Sequence, residues 1–441
     1  MRSLAYWCVP ILVFGLAACG ARAQAAAPGA AITLDEAIRR AEANEPAYAA
    51  AIAGARIAGL DRSIARAALL PSVDFHNQGI YTQPLRTPGQ TTTSDSSPRF
   101  IANNGVREYM SQGVVTETLG MSQVGDLRRA DAAALQALAE QEIARRGLVA
   151  AVTEMFYGAL AAQSRTAIAT RAHAEAADFV SLTEKREQAR EAAHADAVKA
   201  QLEEQQRARE LEDAQLAEEK ARLELGILLF PDPRTPYQLA ADATPPALAN
   251  RAEVEAAAAK NNPELKSAFA AVSVANAEVM AARGAYLPSL VLNYTYGIDA
   301  AQFAVNSPDH ARNLGYAASV TVDLPVWDWL STQHKVKQST IRRDVARVTL
   351  SATQRRLIAQ LDEAYAEAAT AQNQLASLDR SVQSAAESLR LTKLRYTGGE
   401  ATVLEVVDAQ SAFVTAENAR EDGRVRYRAA LANLQTLTGT M

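Results

Sequence analysis

The 441-residue sequence predicts a mainly α-helical chain with a β-barrel portion, built as two tandem repeats. Three observations predict this class. Glycine (21) and proline (16) are sparse while alanine is abundant, which favours long helices packed closely through small side chains. One block of sequence recurs at a fixed spacing. Between the helical stretches, short segments switch from helical periodicity to strict alternation.

Charge is nearly balanced, with 45 basic against 50 acidic residues and a net charge of −5. No face or arm concentrates Lys and Arg, so a nucleic-acid partner is not expected. The N-terminus has the form of an export signal. Arg2 precedes an apolar stretch from Tyr6 to Ala18 that is too short to span a membrane as a helix. Two cleavage readings stand side by side. Leu16-Ala17-Ala18-Cys19 has the form of a lipobox, which would make Cys19 an acylated first residue and the signal residues 1–18. Ala21-Arg22-Ala23 suits ordinary cleavage after residue 23. Cys8 and Cys19 are the only cysteines, so the mature body carries no disulfide.

The duplication fixes the organisation. Asn44, Pro46, Arg66, Leu70, Pro71 and Ser72 reappear 217 residues later as Asn261, Pro263, Arg283, Leu287, Pro288 and Ser289. Further on, Ala200-Gln201 matches Ala409-Gln410 at an offset of 209, so the second unit is shorter. The reading is a first repeat over 24–230, a proline-rich linker over 231–250 and a second repeat over 251–441.

Each repeat is expected to open with a helix, over about 34–69 and 252–286, stopped by proline. Paired strands follow, over about 72–82 and 109–119, then about 289–298 and 314–324. In the second pair Leu290, Leu292, Tyr294, Tyr296 and Ile298 alternate with small or polar residues, as do Leu314, Tyr316, Val320 and Val322. About ten residues at roughly 3.3 Å each suffice to cross a bilayer. The first pair alternates poorly, and its faces are not assigned from sequence. A long helix comes next (about 125–187 and 331–396), then a shorter returning one (about 195–229 and 401–437). Four strands do not close a barrel alone, so chains would have to share one.

Several features together resemble the TolC family of outer-membrane efflux proteins, over nearly all of the mature sequence. They are the doubled blocks, the strand pairs, Arg395-Tyr396-Thr397-Gly398-Gly399 with Thr402 to Ala409 behind it, and the closing Leu434 to Gly439. The resemblance implies a homotrimer with a 12-stranded β-barrel in outer-membrane lipid and a long α-helical barrel in the periplasm. It also implies docking to a periplasmic adaptor protein and an inner-membrane pump, with a passive conduit gated at the periplasmic tip. Acidic residues line that aperture in the family, and Glu405 and Asp408 match them. Three residues apart, they share one side of a helix and would stack as two carboxylate rings in a trimer. The repeat offset maps Glu405 onto Asp196, which suggests an Asp196–Tyr396 hydrogen bond across the tip. Some members carry a basic residue after the turn, where this chain has Ala401. Trp327 and Trp329 would either anchor the barrel at the membrane interface or pack beneath it.

No catalytic or cofactor-binding arrangement is expected, because the five histidines stand apart and no nucleophile or phosphate-cradling motif is present. The competing reading is a periplasmic coiled-coil scaffold or adaptor without a pore. It has no use for paired membrane-length strands.

Overall fold

The computed structural model describes residues 31–83, 106–240, 246–307, 310 and 312–439. Both cleavage readings, with Cys19, lie outside the described residues.

Each half runs through the same elements. The first holds α1 (Leu34–Asn44), α2 (Pro46–Ala67), β1 (Ser72–Tyr81), β2 (Arg107–Leu119), α3 (Met121–Gln188) and α4 (His194–Leu229). The second holds α5 (Arg251–Asn261), α6 (Pro263–Gly284), β3 (Ser289–Ala300), β4 (Leu314–Asp323), α7 (Ser331–Thr397) and α8 (Val403–Thr438). The 68 residues of α3 reach about 100 Å at 1.5 Å each. Helices of 11, 22 and 36 residues in the first half together match that length, and the same three lengths recur beside the 67-residue α7.

The opening helix differs from the sequence reading, since each is two helices instead of one. Pro46 and Pro263 take the first position of a new helix, where a missing N–H costs nothing. The residues before them, Glu45 and Asn262, leave the helical region with ψ of 115° and 123°. The break lets an asparagine reach across. Asn44 Nδ2 donates to the Leu229 carbonyl at 2.9 Å, and Asn262 Nδ2 donates to the Leu437 carbonyl at 3.0 Å. Each satisfies a carbonyl that the end of α4 or α8 would otherwise leave bare. In the second half this job falls to Asn262, one position beyond the aligned Asn261.

The strands form one antiparallel sheet in the order β1-β2-β3-β4. Register settles the faces that alternation left open. Val73 lies opposite Val115, Val115 opposite Tyr294, and Tyr294 opposite Ala318. One face therefore carries Val73, Phe75, Val115, Leu290, Leu292, Tyr294, Tyr296, Val320 and Val322. The other carries Asp74, His76, Gln78, Gln112, Asn293, Thr295, Ser319 and Thr321. Two residues fit their neighbours poorly or tightly. Gly297 lies where a Cβ would come within 2.2 Å of the Ser111 carbonyl oxygen, so β2 and β3 approach closely there. Glu117 stands on the apolar face opposite Leu292, with both carboxylate oxygens buried and unpartnered.

The helices pack through small residues, as the composition suggested. Gly125 of α3 meets Ala281 of α6 so closely that a Cβ would lie 2.5 Å from the Ala281 Cα. The apolar clusters repeat as well. One joins Ala37 and Ala41 of α1 to Val152 and Phe156 of α3 and Leu225 and Leu229 of α4. Its counterpart joins Val254 and Ala258 of α5 to Leu357 and Leu361 of α7 and Leu434 and Leu437 of α8. Among the described residues, no helix is long and apolar enough to cross a membrane.

Candidate functional site

The α3–α4 and α7–α8 hairpins turn at the same end of the molecule, and a common apolar cluster joins them. Phe179 of α3, Ala200 of α4, Tyr396 of α7, and Val403 and Val406 of α8 make this cluster. Phe179 and Tyr396 meet edge to face with ring centroids 5.1 Å apart.

Both turns follow one pattern at the 209-residue offset. Glu191 N–H donates to the Arg186 carbonyl, and Glu400 N–H donates to the Arg395 carbonyl. The residue before each donor has positive φ, Arg190 at 63° and Gly399 at 81°. Glycine tolerates that conformation and arginine does not favour it.

The structure places the expected gate residues in unequal roles. Tyr396 is 5% exposed, and its hydroxyl lies 3.3 Å from the Thr183 hydroxyl. Arg186 stacks over its ring at 4.8 Å from the centroid and also donates to its carbonyl oxygen. The expected Asp196–Tyr396 bond is thus absent within the chain. Asp196 instead occupies the first turn of α4, where a carboxylate favours the positive helix end. The tyrosine is held by Thr183 and Arg186, which the last turns of α3 bring to it at the tip.

Glu405 and Asp408 are both exposed, on the side of α8 away from Val403 and Val406. Glu405 is not a free carboxylate. It forms a capping box with Thr402, accepting from the Thr402 N–H at 3.2 Å while its own N–H donates to Thr402 Oγ1 at 3.3 Å. Its other oxygen lies 3.4 Å from Arg395. The basic partner that Ala401 does not supply after the turn is thus supplied before it. Asp408 has no such partner. Sequence reading missed Arg186, Thr183 and Arg395. The repeated Arg186/Arg395 spacing of 209 was the signal that pointed to two of them.

Trp327 and Trp329 lie in the connection from β4 to α7, at 68% and 84% exposure. They meet edge to face with centroids 5.8 Å apart. Trp329 and Leu330 both have positive φ, at 55° and 64°, a sparsely populated conformation for bulky residues. Asp328 between the tryptophans accepts from the Thr332 N–H at 2.7 Å and so fixes the start of α7. Hydrogen bonds from the Thr332 side chain, then from its backbone, hold the Asp328 carboxyl below its ordinary range. Of the histidines, His173 pairs with Glu204 and His194 with Glu187. No group of three or more metal-capable side chains occurs among the described residues.

A four-stranded sheet set on two helical hairpins of matching lengths is a fold shared with solved outer-membrane channels. The Campylobacter jejuni CmeC outer membrane channel superposes with a TM-score of 0.78 at 16% identity, covering 92% of this chain and 85% of that one. The open-state Neisseria gonorrhoeae MtrE outer membrane channel gives 0.72 at 19% identity, covering 92% and 88%. In sequence, residues 254–440, less than half of the chain, are similar to the family described as "Outer membrane efflux protein", in line with the TolC-type resemblance. Outer membrane protein OprJ of Pseudomonas aeruginosa is 27% identical over 175 residues, which is 40% of this chain and 36% of that relative. That alignment spans only about a third of OprJ.

Proposed function

We propose that the chain is the outer-membrane channel subunit of a tripartite efflux or export system, a passive conduit from periplasm to exterior. The observation that carries this reading is the sheet itself. It has one apolar face, one polar face and two unpaired edges, β1 and β4, each ten residues long. Open edges of that length seek partners, and a membrane admits strands only in closed barrels. Three copies joined edge to edge would make a 12-stranded barrel, with the apolar face toward lipid and the polar face lining the lumen. The helices would then extend about 100 Å into the periplasm, where an adaptor protein and an inner-membrane pump could be met. Gating falls to the tip. Asp408 and Glu405 would ring the aperture, and Tyr396 with its α3 partners would hold the two hairpins together. The exposed tryptophans suit the periplasmic interface of the outer membrane, where aromatic rings straddle apolar and polar layers. CmeC and MtrE, which share the fold, are described as outer membrane channels.

The native mass of the particle extracted by detergent from separated outer membranes tests this. Three chains are expected in that fraction. A monomer released by salt wash would overturn the shared barrel and leave a periplasmic scaffold.

A further inference from the structure

One glutamine inside the helical body has no partner, and its surroundings suit water. Gln410 of α8 is 5% exposed, yet among the described residues neither its amide nitrogen nor its amide oxygen has a hydrogen-bond partner. A buried amide left unpaired costs on the order of 1–3 kcal/mol, so such groups are normally satisfied by protein or by ordered water.

The repeat shows how this one lost its protein partner. The equivalent residue 209 positions earlier is Gln201, which donates to Glu184 at 2.9 Å on the exposed surface of the first hairpin. At the position equivalent to Glu184 the second half has Lys393, which pairs with Glu175 of α3 at 2.7 Å. The acceptor has become a donor and is committed elsewhere. Gln410 therefore turns into a small cavity between the hairpins, lined also by Arg171 and Glu175 of α3, Arg207 of α4 and Glu417 of α8.

The cavity offers about 20 Å³ to the centre of a water molecule, against the roughly 10–15 Å³ that one water needs. Half of its ten lining residues are apolar, and the other half, Gln410 among them, carry groups that can bond a water. Arg171 pairs with Glu417 at 3.0 Å, and Arg207 pairs with Glu203 and Glu210, each at 2.7 Å. Carboxylates and guanidiniums so placed keep capacity for a further bond. The cavity also has a defined position. Gln410 lies one turn from Val406, whose side chain is fully buried in the tip cluster.

We propose that this cavity holds one ordered water, bonded to the Gln410 amide and to the charged lining.

A structure of the full assembly that resolves waters is expected to show density within about 3.2 Å of both Gln410 amide atoms. Gln410→Leu, of similar volume and without polar atoms, should expel that water and raise the apparent Tm by about 1–2 °C. Gln410→Met serves as the second variant should leucine pack badly. An empty cavity, an amide bonded directly to protein, or a lower Tm in both variants would overturn the proposal.

Discussion

Arg186 closes the end of α7 from the neighbouring hairpin, lying 4.8 Å over the Tyr396 ring and donating to the Tyr396 carbonyl. One side chain thus covers an aromatic face and satisfies a helix-terminal carbonyl. A cation–π contact and a charged hydrogen bond together are worth about 2 kcal/mol. Arg186→Ala is expected to lose about that much locally, read as faster amide exchange over residues 396–402 and a larger resting conductance. Unchanged exchange there would show that Phe179 and Thr183 hold Tyr396 unaided.

Glu405 and Asp408 should not contribute equally to ion selectivity. Glu405 is committed to Thr402 and to Arg395, while Asp408 is exposed and has no side-chain partner among the described residues. Asp408→Asn is expected to reduce cation selectivity, measured as a reversal potential in a salt gradient, more than Glu405→Gln does. Glutamine also serves in a capping box, so the Glu405 variant keeps its helix start. Equal effects from both variants, or none from Asp408→Asn, would argue against the ring at Asp408.

Arg190 stands at φ 63° where the repeat-equivalent Gly399 stands at 81°. A non-glycine residue in this region costs about 1–2 kcal/mol, partly offset by the greater freedom of glycine in the unfolded chain. Arg190→Gly should therefore stabilise the first turn by about 0.5–1 kcal/mol in denaturant unfolding. A loss of stability would mean that the exposed arginine makes a contact worth more than its strain.

Asp328 gives the start of α7 a defined pH dependence. Its folded carboxyl titrates below the ordinary value of 3.8 because Thr332 donates to its charged form. The contribution is therefore complete above that ordinary value and is lost as pH falls through the depressed folded one. Amide exchange at 331–335 should quicken on that acid side in the wild type and lose this pH dependence in Asp328→Asn. The same pH dependence in both proteins would place the titrating group elsewhere.

Much of the architecture was legible because it rests on local rules applied twice. Pro71 and Pro288 stop helices wherever they stand, and the alternation of β3 survives any tertiary arrangement. The offset of 209 was enough to align the two turns. The break at Pro46 and Pro263 was less legible, because a proline suits the first turn of a new helix as well as it ends an old one. What distinguished them was Asn44 and Asn262 reaching the ends of α4 and α8, some 175–185 residues away.

The faces of β1 and β2 and the partners of Tyr396 were decided only by the tertiary structure. Alternation in β2 is poor, so its faces follow from the register that places Val115 between Val73 and Tyr294. Tyr396 could be assigned to the tip from sequence, but which oxygen its hydroxyl meets depends on how the two hairpin tips come together. The sequence by itself determined the duplicated order of helices and strands, since capping, proline and periodicity act within a few residues. Packing decided which side chains hold Tyr396 and what surrounds Gln410, since those depend on residues more than 200 positions apart.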